Sequence, residues 1–145
     1  MTVYVDGSCS SNGKTNNTGG FGVVVLDDDE NIVFTYNEVS ENTTNNREEL
    51  KGILYAFLKY GVKEGTIPIV YSDSAYSVNT LTQWMFGWAM KGWLKSDNKT
   101  PENLDLIQAF YKHWQNGYRI DLKKVKGHSG QKFNELADKL AVRRN

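Results

Sequence analysis

Apolar and polar positions along the chain change period several times, and each change marks an element. Residues 2–6, Thr2-Val3-Tyr4-Val5-Asp6, are β-branched and aromatic and predict a strand. Residues 8–20 are rich in Gly, Asn and Ser without a period and read as a loop. Two more β-rich runs, residues 22–26 and 32–39, flank the acidic turn Asp27-Asp28-Asp29-Glu30-Asn31 and predict a hairpin. The period then lengthens. Leu50, Ile53, Leu54, Phe57 and Leu58 recur at helical spacing, with Gly61 as the stop. Residues 67–72 predict a short strand, and residues 74–83 and 84–93 two helical stretches. Pro101 opens a helix carrying Leu104, Ile107, Phe110, Tyr111 and Trp114, closed by Gly117. A strand over residues 118–125 and a helix over residues 133–143 complete the chain. Three strands in a row followed by alternating helix and strand predict an α/β fold, a mixed sheet with helices packed on it.

Composition narrows the class. The 145 residues suit one domain with a proper core. Seventeen basic against 17 acidic side chains leave the total neutral, but residues 1–66 hold 5 basic and 10 acidic groups and residues 67–145 hold 12 and 7. That split suits an acidic pocket beside a basic face for a polyanion, and equally an ordinary solvated surface. The lone Cys9 excludes an intramolecular disulfide. No apolar run is long enough to span a membrane. A strand starting at Thr2 leaves no room for a leader peptide, so a cytoplasmic protein is expected.

Four acidic residues then change the picture, because each sits where a fold could aim it at one point. Asp6 ends the first strand, where Asp6-Gly7 could equally form a turn. Glu49 lies on the flank of the helical apolar stripe, while Glu48 points nearly opposite and would cap the helix if Asn45 is the N-cap. Asp73 directly follows the strand ending at Ser72, a usual position for functional residues and also for a helix N-cap. Asp138 and Asn134 stand four apart on one side of the last helix. Converging carboxylates cannot all stay ionised without cations between them, so the set points to a two-metal phosphodiesterase.

With these pieces in this order, the chain resembles the type 1 ribonuclease H family over essentially its whole length. The resemblance rests on Val5-Asp6-Gly7-Ser8-Cys9, Thr44-Asn45-Asn46-Arg47-Glu48-Glu49-Leu50, Ser72-Asp73-Ser74, Trp84…Trp88…Gly92-Trp93, Val125-Lys126-Gly127-His128-Ser129-Gly130 and Asn134…Asp138. It implies a ribonuclease H-like fold, a five-stranded mixed sheet with helices on both faces, filling residues 1–145 as a single domain without an N-terminal hybrid-binding domain. It implies hydrolysis of the RNA strand of an RNA–DNA hybrid with two Mg²⁺ ions, Mn²⁺ substituting, to leave a 5′-phosphate and a 3′-hydroxyl. The family's carboxylates fall on Asp6, Glu49, Asp73 and Asp138, and its loop histidine on His128. Asp6 would bridge the metals, Glu49 and Asp73 would hold the leaving-group side, and Asp138 the water-activating side. Cys9, Asn12, Thr44, Asn45, Ser74, Trp84, Lys91 and Asn134 are the expected substrate contacts. The expected enzyme is a monomer with no obligatory protein partner and no membrane association.

Two departures stand out. Around Trp84, Trp88 and Trp93 only Lys91, Lys95 and Lys99 supply charge, so the basic handle is thin. Lys14-Thr15-Asn16-Asn17 stands where the family often has a short Pro-Gly turn. A module released from a reverse transcriptase and a silent hybrid-binding domain are the competing readings. Asp6-Gly7-Ser8 does not match the Asp-X-Glu motif of the related exonucleases.

Overall fold

A computed structural model describes residues 1–11, 14–125 and 131–144. Strands β1 (Thr2–Ser10), β2 (Thr18–Leu26) and β3 (Ile32–Glu41) are followed by helix α1 (Asn45–Tyr60) and strand β4 (Ile69–Ser72). Helix α2 (Ala75–Asn79) runs through a π-helical turn (Thr80–Trp84) into α3 (Met85–Met90). Helix α4 (Leu104–Gln115), strand β5 (Asp121–Lys124) and helix α5 (Lys132–Val142) close the chain. The five strands lie in the order β3-β2-β1-β4-β5. The first three pair antiparallel, and β4 pairs parallel with both β1 and β5.

The sheet is apolar on both faces, so it must be covered twice. Val3, Val5, Phe21, Val23 and Val25 alternate onto the face covered by α1, where Leu50, Ile53 and Phe57 meet them, with Ile107 and Phe110 of α4 behind. Tyr4, Val24 and Leu26 point the other way, toward Phe133 and Ala137 of α5. Among the described residues no helix is long and apolar enough to cross a membrane.

Several elements run longer than their pattern suggests. β1 and β2 pair from Thr2↔Leu26 to Ser10↔Thr18, so Ser8, Cys9 and Ser10 and Thr18, Gly19 and Gly20 join the ladder instead of the loop. Gly7 opposes Phe21 inside this ladder, and no turn follows Asp6. Gly19, Gly20 and Gly22 hide β2 from sequence reading because they carry no apolar side chain, yet each is needed. A Cβ on Gly20 would come 2.9 Å from the Ala141 carbonyl oxygen of α5, and one on Gly22 would strike the Ala137 carbonyl. Helix α4 starts at Leu104 rather than Pro101, after Asn103 with φ of 58°.

Candidate functional site

Sheet register brings the first two acids together. Tyr4 of β1 pairs with Tyr71 of β4 in parallel. Carrying that register two residues further sets Asp6 beside Asp73, just past the end of β4. Glu49 arrives from the first turns of α1, whose backbone presses on β1 at Gly7. A Cβ there would strike the Glu49 amide nitrogen, and would come 2.5 Å from the Glu48 carbonyl carbon. Only glycine admits this approach.

Oxygens of Asp6, Glu49 and Asp73 all lie within 4.8 Å of one another, a spacing that fits one or more cations. Asp6 and Glu49 are buried, at 4% and 7% exposure, while Asp73 is the most open of the three. Asp138, exposed on α5, reaches hydrogen-bonding distance of Asp6. Burial pushes the Asp6 carboxyl far above the carboxylate range; the charge of Glu49, hydrogen bonds to Glu49 and Asp138, and the charge of Asp73 push the same way. Burial also raises Glu49, to about 7, against hydrogen bonds from Asp6, the Gly7 N–H and Ser72. Ser72 Oγ donates to Glu49 Oε2 at 3.4 Å and accepts from the Ser74 N–H at 3.1 Å. The pocket is therefore short of positive charge. Its surroundings favour a proton or, for an all-oxygen donor set, a hard divalent cation.

The expected substrate contacts are placed unevenly. Thr44, not Asn45, caps α1, accepting from the Arg47 N–H at 3.0 Å. Asn45 is the exposed first residue of that helix. Ser74 caps α2 through the Ser77 N–H at 3.1 Å. The Cys9 thiol turns inward, toward the carbonyls of Ser10 and Thr43. Asn134 lies one turn before Asp138, with its Oδ1 buried and unpaired among the described residues. His128 and Asn12 fall outside the described residues.

The tryptophans are only partly core. Trp84 is 45% exposed. With Trp88, Gly87, Lys91 and Lys95 it lines an open groove of about 550 Å³. Trp93 packs edge-on against Tyr111, ring centres 5.2 Å apart. His113 is half-buried, with its ring between Phe57 and Tyr118.

Sequence reasoning missed three features around the site. Ser72, read only as the end of a strand, supports Glu49 through its hydroxyl. Arg47 makes a bidentate pair with Asp105 at 3.0 and 2.6 Å, tying α1 to α4. Glu48 is fully buried instead of facing away from the core.

The RNase H family model matches residues 1–145. The Ribonuclease H of Agrobacterium fabrum is 37% identical over 97% of this chain and 91% of its own length. That of Mannheimia succiniciproducens is 39% identical over 97% of this chain and 84% of its own. Among solved structures, LC9-RNase H1, a type 1 RNase H with the type 2 active-site motif, is similar with a TM-score of 0.73. It is 34% identical over 97% of this chain and 69% of that one. The PFV RNase H domain superposes with a TM-score of 0.81 at 22% identity over 97% of this chain and 90% of that one. At that identity the likeness speaks for the fold.

Proposed function

The chain belongs to the ribonuclease H family, and from that premise we propose that it cuts the RNA strand of RNA–DNA hybrids at the pocket of Asp6, Glu49, Asp73 and Asp138. It is an enzyme, an endoribonuclease. Two Mg²⁺ ions are the proposed cofactors, with Mn²⁺ as a substitute, and the products carry 5′-phosphate and 3′-hydroxyl ends. One observation carries the reading: three carboxylates from β1, α1 and the β4 end crowd within 4.8 Å, a gathering that costs free energy unless cations occupy it.

The donor set fits the ions. It offers only oxygens, with no thiolate or imidazole among the clustered groups, the preference of Mg²⁺ and Mn²⁺. Divalent cations bound there would neutralise the phosphoryl oxygens and lower the pKa of an attacking water. The chain's own residues do the rest. Asp6, deepest and in reach of both Glu49 and Asp138, is suited to serve both sides of the pocket. Ser72 and the Gly7 N–H fix the Glu49 carboxylate. Thr44 and Asn45 at the start of α1 receive a phosphate, and Ser74 and Asn134 flank the RNA strand. Trp84 offers an exposed ring for the partner strand, with Lys91 and Lys95 as cations beside it. The proposed enzyme acts as a monomer.

The test is cleavage of labelled RNA–DNA hybrid, RNA duplex and DNA duplex in Mg²⁺ or EDTA, with Asp73→Asn alongside. Cutting confined to the RNA of the hybrid, abolished by EDTA and by Asp73→Asn, is expected. Activity surviving either treatment refutes the two-metal reading.

A further inference from the structure

Glu48 is the most deeply buried acid in the described chain, at 0% exposure, and the pocket does not use it. Burying a carboxylate is costly, and an apolar side chain of equal volume would fill the space more cheaply. Its partners explain what the charge does there. Oε2 accepts the Thr43 hydroxyl at 2.6 Å and lies 3.4 Å from Lys51 Nζ. Lys51 also bonds Ser40 Oγ on β3. Thr43 is itself clamped: its N–H donates to Asn17 Oδ1 at 2.8 Å, and its carbonyl accepts from Asn17 Nδ2 at 2.9 Å and from the Cys9 thiol. A Cβ on Gly19 would come 3.2 Å from Glu48 Cγ, so β2 closes the remaining side.

We propose that Glu48 is a positioning residue for Glu49, setting the rotation of the first turns of α1. This rests on the reading that Glu49 holds a divalent cation. Consecutive helical side chains diverge by about 100°, so the two neighbours face different walls. The bare Cα of Gly7 lets α1 come close to β1, and its N–H holds the Glu49 carboxylate from the sheet side. The Arg47–Asp105 pair ties the same turn to α4 from a part-exposed position. The Glu48–Thr43–Asn17 lock is buried and directional. A rotation of about 10° moves a side-chain oxygen on the order of 1 Å at the helix's outer radius. Metal–ligand distances tolerate only about 0.2 Å.

The experiment compares wild type, Glu48→Met, Glu48→Gln and Thr43→Val as full chains. Mn²⁺ binding is followed by calorimetry, the metal-free melting temperature by circular dichroism, and hybrid cleavage by kcat and KM. Glu48→Met is expected to keep or raise the melting temperature while weakening Mn²⁺ binding about tenfold and lowering kcat at limiting metal, with KM for hybrid unchanged. Glu48→Gln, which keeps an acceptor for Thr43, retains most of the affinity. Thr43→Val reproduces the loss, and combining it with Glu48→Met adds nothing further. Unchanged Mn²⁺ affinity in Glu48→Met overturns the proposal. If that variant does not fold, the Mn²⁺ affinity of Thr43→Val decides in the same way. Wild type that binds no Mn²⁺ overturns the two-metal reading and this proposal together, whereas wild-type binding with unaltered variants overturns only this one.

Discussion

The carboxylate pocket and the tryptophan groove are built by opposite strategies. The pocket takes one acid from a central strand, one from a strand end and one from a helix seated against the sheet, each fixed by ladder register or backbone contact. The groove comes from the π turn, α3 and the turn after it, with Trp84 half-exposed and its cations on flexible lysine stems. On the proposed function, chemistry that depends on fractions of an ångström would sit on the rigid part, and recognition, which must follow a duplex of any sequence, would sit where side chains can adapt.

The largest effect is expected of Asp6→Asn. Charge stabilisation by metal is worth several kcal/mol, which at about 1.4 kcal/mol per decade makes a loss of roughly a thousandfold in single-turnover cleavage. KM for hybrid should scarcely change. Trp84→Ala should do the reverse, raising KM about tenfold through a lost stacking platform of about 1–3 kcal/mol while kcat stays put. If both variants moved kcat and KM together, the division between pocket and groove would fail.

Acidity sharpens the contrast next. Folding raises the Glu49 carboxyl to about 7 and Asp6 above its usual range, so the metal-free folded state binds protons that the unfolded chain, titrating near about 4, has released. The stabilisation is therefore present at acid pH and is lost as pH climbs through about 7. Melting in EDTA should fall on the order of 5 °C between pH 5 and 8, and Mn²⁺ should remove most of that fall. Asp6→Asn should flatten it even without metal. The smallest effect belongs to the groove: Lys91→Ala and Lys95→Ala should each reduce the salt slope of hybrid binding by about one, leaving the pH profile untouched.

Much of this was legible from residue pattern, and what was not had local causes. The stripe Leu50, Ile53, Phe57 gave α1, and Asp6, Glu49 and Asp73 stood at positions the sheet then brought together. The extent of β2 was hidden by glycines that serve α5 and the Thr43 corner instead of the β-pattern. Thr44 and Asn45 are both good caps, and only the backbone turn at Thr44 decides between them. Glu48 misled because a helical wheel assumes one buried side. The start of α1 is clasped by the β3–α1 corner as well as by the sheet. The exposed Trp84 could not be told from core because the π turn breaks the spacing on which such an argument depends.

Gly20 and Gly22 carry a consequence for how this enzyme can vary. Across them α5 sits on bare β2 backbone, with Ala137 and Ala141 carbonyls against the strand and Arg144 bonding both the Ala141 and Thr18 carbonyls. Main chain against main chain acts as a hard mechanical seat, whose height does not depend on neighbouring side-chain volumes. Repacking Phe133 or Leu140 would then cost stability without lifting Asp138 from its place. If Asp138 serves the cut as proposed, thermal robustness and cutting rate become separately adjustable along the same helix.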